Sequence, residues 1–199
     1  EILKIQNLEI LGFIDEIQPI NTIINKDLNL RVLGKIKDLK RIVDNNTFGI
    51  IAVGQNYIRE KISLEVKQVI KNFKWEKIIS NDSIISKNTK IGEGTVIISG
   101  STINVGTNIG NHCLINTNST IEHDNCFYDF SSCGPGTTTG GNVNLGKLSY
   151  IGIGSTISNK INIDENTVIG GHSFVNNDCE KNSLYYGVPA KKIRNRKKI

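Results

Sequence analysis

The 199-residue chain contains no methionine, one tryptophan, three prolines and three histidines. Without a methionine, the point at which translation starts is not in view. Chemistry that needs an imidazole must draw on His112, His123 or His172. The four cysteines, Cys113, Cys126, Cys133 and Cys179, form no C-x-x-C pair, so the usual zinc-ligand spacing is missing. A chain of this length does not depend on disulfide staples, and reduced thiols in a cytoplasm fit best. Long apolar runs are lacking as well. Stretches such as Ile50–Val53 are strand-length, far short of the roughly 20 residues that cross a bilayer. No signal-peptide pattern is visible. The expectation is a cytoplasmic protein with no membrane span. The net charge of +5 is unevenly placed, with six Lys or Arg in Lys191–Ile199. No aromatic residue is interleaved with them, which argues against nucleic acid as partner. A solvated tail, or one that attracts a polyphosphate, is expected.

What the chain has in abundance is a period of six. From Ile85 an aliphatic residue recurs at every sixth position: Ile91, Ile97, Ile103, Ile109, Ile115, Ile121, and after a short break Leu145, Ile151, Ile157, Ile163, Ile169 and Val175. The break holds Phe127, Cys133 and Thr139, and no insertion interrupts the sixteen hexads. Two positions before each aliphatic sits a mostly small residue, such as Thr95, Ser101, Thr107, Cys113, Ser119 and Ser131. Glycine often follows the aliphatic, as at Gly92, Gly110, Gly134 and Gly152. A 3.6-residue helix cannot keep one apolar face with this period. A triangular coil can: each hexad supplies a short strand and a corner, and three hexads close a turn. Inward side chains then stack one coil apart, at about 4.8 Å, and glycine is expected to relieve strain near the corner. Repeats of this kind mark a solenoid, here a parallel β-helix over residues 81–180, followed by a C-terminal segment 181–199.

Residues 1–80 follow a different pattern. Leu8–Asp15 and Phe48–Val53 read as strands, Ile36–Asp44 as a short helix and Asn56–Phe73 as an amphipathic one. This alternation predicts a small Rossmann-like α/β domain with a parallel sheet. Ligands would bind beyond the carboxyl ends of its strands, at Gly12–Glu16 and Gly54–Asn56.

The order of parts resembles one family: the bacterial sialic-acid O-acetyltransferases and nucleotide-linked amino-sugar N-acetyltransferases of the hexapeptide-repeat type. The resemblance rests on Gly12-Phe-Ile-Asp-Glu16, Ala52-Val-Gly54, Ile121-Glu-His-Asp124, Gly140-Gly-Asn-Val143, Ile151-Gly-Ile-Gly154 and Gly187-Val-Pro-Ala-Lys-Lys-Ile193. The family's N-terminal strand with its Gly-rich, His-containing loop is missing, so the α/β domain reads as N-terminally incomplete. The resemblance implies a left-handed β-helix, a homotrimer with sites between subunits, and acetyl-CoA as acyl donor. It also implies contacts to acetyl-CoA at Ser132, Ile153 and Gly171, and to the acceptor sugar at Asp15, Glu16 and Gly54. Some relatives carry a histidine where Ser132 stands.

Acetyl transfer from a thioester to an amine needs a group that takes the amine's proton, and histidine titrates in the right range. His123 is the candidate base: it lies just past inward Ile121, and Asp124 follows to orient it. The family's base matches this position. His112 and His172, each three residues past an inward aliphatic, read as surface corners, and His172 is a further candidate contact for acetyl-CoA. Cys113 and Cys133 read as core. The favoured acceptor is a nucleotide-linked amino sugar for bacterial surface glycans, with the hydroxyl of a sialic-acid-like sugar as the alternative. A non-catalytic scaffold or sugar-binding protein is a third reading. A zinc enzyme of the carbonic anhydrase type is disfavoured, because no two histidines are five apart. His123 and His172 are also eight hexads apart, roughly 13 Å along the axis. No metal is expected.

Overall fold

The computed structural model describes residues 8–197. The α/β part opens with strand β1 (Phe13–Ile14), strand β2 (Ile23–Asn25) and strand β3 (Leu30–Gly34). They form a three-stranded sheet in the order β1-β3-β2, parallel between β1 and β3 and antiparallel in the β2–β3 hairpin. A 3-10 turn at Ile36–Asp38 leads into helix α1 (Leu39–Ile42), and helix α2 spans Asn56–Val69. Ile36, Leu39 and Val66 form the small core here, against Ile62, Phe73 and Trp75.

Two expectations for this region change. The first strand is two residues long, and Leu11 beside it is 52% exposed. Phe48–Val53 is not a strand; its one bridge is Gly49 to Trp75. Aliphatic runs of this length carry no partner information, and the β2–β3 hairpin, turned by Asn25-Lys26-Asp27-Leu28-Asn29, supplies the antiparallel pairing instead.

The rest of the chain is a parallel β-helix with three faces. The first face holds Ile78–Ile79, Val96–Ile97, Leu114–Ile115, Ser132–Cys133, Tyr150–Ile151 and Val168–Ile169, closed by the hairpin Ser183–Gly187/Ala190–Asn195. The second runs from Ile84–Ile85 to Phe174–Val175, and the third from Lys90–Ile91 to Asn162–Ile163. Registers repeat every eighteen residues, as in Leu114↔Ser132 and Thr120↔Thr138. The repeat thus starts one hexad earlier than Ile85. It ends after Val175, where Ile169 pairs with Tyr185, sixteen residues on.

The inward aliphatics Ile97, Ile103, Ile115, Ile121, Ile151 and Ile163 have no exposed surface, and Cys113 and Cys133 sit in the same core. The small column has a further role. Its hydroxyls donate to backbone carbonyls of the next coil: Thr107 to Glu122 at 2.8 Å, Ser101 to Asn116 at 2.9 Å and Ser155 to Gly170 at 2.9 Å. A corner carbonyl buried without a donor would be costly, so Ser and Thr recur for hydrogen bonding as well as for size. Cys113 Sγ occupies the same place, 3.3 Å from the Tyr128 carbonyl.

The corners also differ from expectation. The left-handed backbone lies three residues past each inward position from Ile91 to Ile169, at Gly94, Gly100, Gly106, His112, Asn118, Asp124, Phe130, Gly136, Asn142, Leu148, Gly154, Lys160, Asn166 and His172. The glycines that directly follow an aliphatic serve another purpose. A Cβ on Gly92 would fall 2.5 Å from the carbonyl carbon of Gly110, and one on Gly152 2.5 Å from the Gly171 nitrogen. They let consecutive coils approach.

Candidate active site

His123 and Asp124 sit on the corner between the second and third faces. Asp124 adopts φ 57°, a region that Asp tolerates better than most residues. Its N–H donates to the Val105 carbonyl one coil back at 2.9 Å, and Asn142 N–H donates to the His123 carbonyl at 3.0 Å. Fully buried Asn125 holds the turn from inside: its Nδ2 donates to the carbonyls of Glu122, His123 and Gly140 at 2.6, 3.1 and 2.9 Å. The left-handed turn then aims Asp124 at its neighbour, with 2.9 Å between Asp124 Oδ2 and His123 Nδ1.

Room for both side chains comes from glycines one coil away. A Cβ on Gly141 would fall 2.5 Å from His123 Cε1 and Nε2, and one on Gly106 would fall 2.2 Å from Asp124 Oδ1. The side chains of His123 and Asp124 are 51% and 57% exposed. A contact this exposed adds little stability. What the arrangement does is direct: the carboxylate fixes Nδ1 as the protonated nitrogen and leaves Nε2, which has no hydrogen bond among the described residues, as a proton acceptor.

The other candidates fall elsewhere. Ile153 is exposed, and Gly171 lies beside it one coil on, where a Cβ would meet Ile153 Cγ2 at 3.0 Å. Both belong to the corner between the first and second faces, so the second face separates them from His123 within one chain. Exposed His172 is next to them, stacked over Gly154. Ser132 is 1% exposed under α2, and its hydroxyl donates to Asn56 Oδ1 at 2.7 Å. This burial closes Ser132 to a ligand on this chain.

Asp15 Oδ1 accepts from Gln18 N at 2.9 Å and Ile17 N at 2.7 Å; the Gln18 bond, then the Ile17 bond, holds its carboxyl below the ordinary range. Glu16 Oε1 accepts from Ile36 N at 2.8 Å, at the start of the 3-10 turn. Each carboxylate keeps one oxygen free of these bonds. Gly54 is exposed, with nothing within 4 Å of where a Cβ would stand.

His112 is not a surface corner. It takes the left-handed turn at φ 52° but is 3% exposed, stacked on Phe130 at 5.0 Å and edge-on to Trp75 at 4.9 Å. The α/β part covers this corner, which no local pattern reveals. Burial, then the Arg59 charge, pushes the imidazole down to about 4. Sequence reasoning also passed over Asn125 and Arg59. The signal for Asn125 was an amide in a column of Ser and Thr; for Arg59 there was none. Among the described residues, no group of three or more His, Cys, Asp or Glu is placed to hold a metal ion, and no helix is long and apolar enough to cross a membrane.

The architecture, an α/β front carried on a hexapeptide β-helix, matches known proteins. Residues 1–66 match the family model of the PglD N-terminal domain. The acetyltransferase domain of PglB from Neisseria gonorrhoeae shares the fold at 24% identity and a TM-score of 0.83, over 92% of this chain and 86% of that one. GDP-perosamine N-acetyltransferase from Caulobacter crescentus shares it at 22% identity and a TM-score of 0.87, over 98% and 90%. That enzyme was solved with CoA and GDP-perosamine, in variants that replace one histidine by alanine or asparagine. WeeI from Acinetobacter baumannii follows at 20% identity and a TM-score of 0.72, over 92% and 85%. The family match is thus confined to the front of the chain, residues 1–66, and the fold as a whole is shared with these solved structures.

Proposed function

We propose that this chain is an acetyl-CoA-dependent N-acetyltransferase acting on a nucleotide-linked amino sugar, in the cytoplasm and as a homotrimer. The observation that carries the reading is the 2.9 Å contact between His123 Nδ1 and Asp124 Oδ2, with no hydrogen bond to Nε2 among the described residues.

The acceptor amine attacks the thioester carbonyl carbon. As the C–N bond forms, Nε2 of His123 takes the amine proton, and Asp124 stabilises the resulting imidazolium. The tetrahedral intermediate collapses by breaking the C–S bond, and the CoA sulfur leaves as thiolate, which the proton on His123 can neutralise. Products are the N-acetyl sugar and CoA. Acetyl-CoA would run past Ile153 and Gly171. Since these lie on a different corner from His123, a neighbouring subunit completes the site. The α/β part, residues 1–80, would hold the acceptor near Asp15, Glu16 and Gly54. Ser132 drops out of the cofactor contacts because α2 covers it.

The test is a panel of nucleotide-linked amino sugars and free sialic acids with acetyl-CoA, read by thiol release and by mass spectrometry of the product. N-acetylation of a nucleotide-linked amino sugar is expected. O-acetylation of a sialic acid alone would replace the acceptor assignment, and no turnover with any of them would sink the enzymatic reading.

A further inference from the structure

Arg59, on the first turns of α2, is 3% exposed and meets no carboxylate among the described residues. Its charge is met almost wholly by backbone carbonyls. Nε donates to the His112 carbonyl at 3.0 Å, Nη1 to those of Val53 and Gly54 at 3.2 and 2.8 Å, and Nη2 to that of Phe130 at 3.2 Å. Nη2 also reaches Asn56 Oδ1 at 2.8 Å. Asn56 in turn donates to the carbonyls of Leu148 and Ser149 at 3.1 and 3.0 Å. One guanidinium therefore joins three pieces: the loop before α2 and the corners of two successive coils.

The loop depends on it. Ile50–Gly54 has no strand partner, and among the described residues the only hydrogen bonds of Val53 and Gly54 are those with Arg59. Desolvating an arginine without a counter-ion is unfavourable unless every donor finds an acceptor in fixed geometry. The rigid fork supplies that geometry, and a lysine ammonium cannot, since it is a single point of charge.

We infer that Arg59 is a positioning residue for acceptor binding: it fixes the Val53–Gly54 loop to the β-helix so that the acceptor is presented to the active site. This rests on the proposed function, which places the acceptor at Gly54. The Arg59–Asn56 latch itself follows from geometry alone.

Arg59→Lys keeps the charge and loses the fork; Arg59→Gln is the second variant. Both are compared with wild type for KM toward acetyl-CoA, for KM toward the best nucleotide-linked amino sugar of the panel, for melting temperature, and for the backbone carbonyl ¹³C chemical shifts of Val53 and Gly54, the two acceptors of the latch. Expected for Arg59→Lys are an acceptor KM raised about tenfold or more, an acetyl-CoA KM within about twofold, and carbonyl shift changes that are largest at Val53 and Gly54. Unchanged KM values would overturn the inference. So would a parallel change in both KM values with a general loss of folded protein, which is the mark of a merely structural role. If the wild type acetylates no amino sugar, the functional reading fails separately. The carbonyl shifts then decide the latch, and unchanged Val53 and Gly54 shifts in the Lys variant reject it.

Discussion

The imidazole of His123 fills the space that a side chain at Gly141, one coil further on, would need: a Cβ there would fall 2.5 Å from both Cε1 and Nε2. The proposed base is thus defined by two hexads together, one supplying the ring and Asp124, the other supplying the gap. Gly141→Ala should push the ring off its place while leaving the core of the β-helix intact. A displacement of about 1 Å can cost about a hundredfold in rate. Turnover should fall at least tenfold with a melting temperature close to wild type; unchanged turnover would mean that the ring is free to move.

His112 makes stability sensitive to acid. Buried between Trp75 and Phe130, it is held at about 4 by desolvation and by Arg59, against an ordinary value of 6.5. The folded state thus prefers the neutral ring. Above about pH 6.5 both states are neutral and nothing is lost. As pH falls from there toward 4, the unfolded chain takes up the proton first, and stability declines by on the order of 3 kcal/mol in total. Denaturant melts from pH 7.5 to 4 should show this loss, and His112→Asn, which tolerates the left-handed turn, should flatten it. An equal slope in the variant would assign the loss to other groups.

Lys160 tests the corner geometry. It is exposed yet sits at φ 60°, where a residue with a Cβ is strained by about 1–2 kcal/mol. Lys160→Gly removes the strain, partly offset by the entropy that glycine loses on folding. A net gain of about 0.5–1 kcal/mol is expected, or about 1–4 °C in melting temperature. Lys160→Ala should give no gain. A destabilised Gly variant would contradict the left-handed assignment.

The β-helix was legible in the sequence because its unit is short and its core one-dimensional: each inward position sees the same neighbours one coil away. The aliphatic series predicts the fold from Ile85 to Val175, and the His123-Asp124 pair stands out because the repeat does not explain it. The corner residues were legible in principle, since Asn118, Asp124, Asn142 and Asn166 share one position, but the glycines one residue after the aliphatics form an equally regular column with a different role. The α/β part was less readable. Phe48–Val53 looks like a strand by composition, while its backbone is tied to Arg59 and Trp75. The burial of His112 and Ser132 depends on α2 packing on the β-helix, a tertiary contact that leaves no periodic trace.

The central claim is that His123 accepts the amine proton. Its most direct test is the initial rate of CoA thiol release, at saturating acetyl-CoA and amino-sugar nucleotide, for wild type and His123→Ala. The account predicts a rate lower by about 10²–10⁴ in the variant, with melting temperature and acetyl-CoA binding unchanged. A His123→Ala enzyme that turns over at the wild-type rate would contradict it.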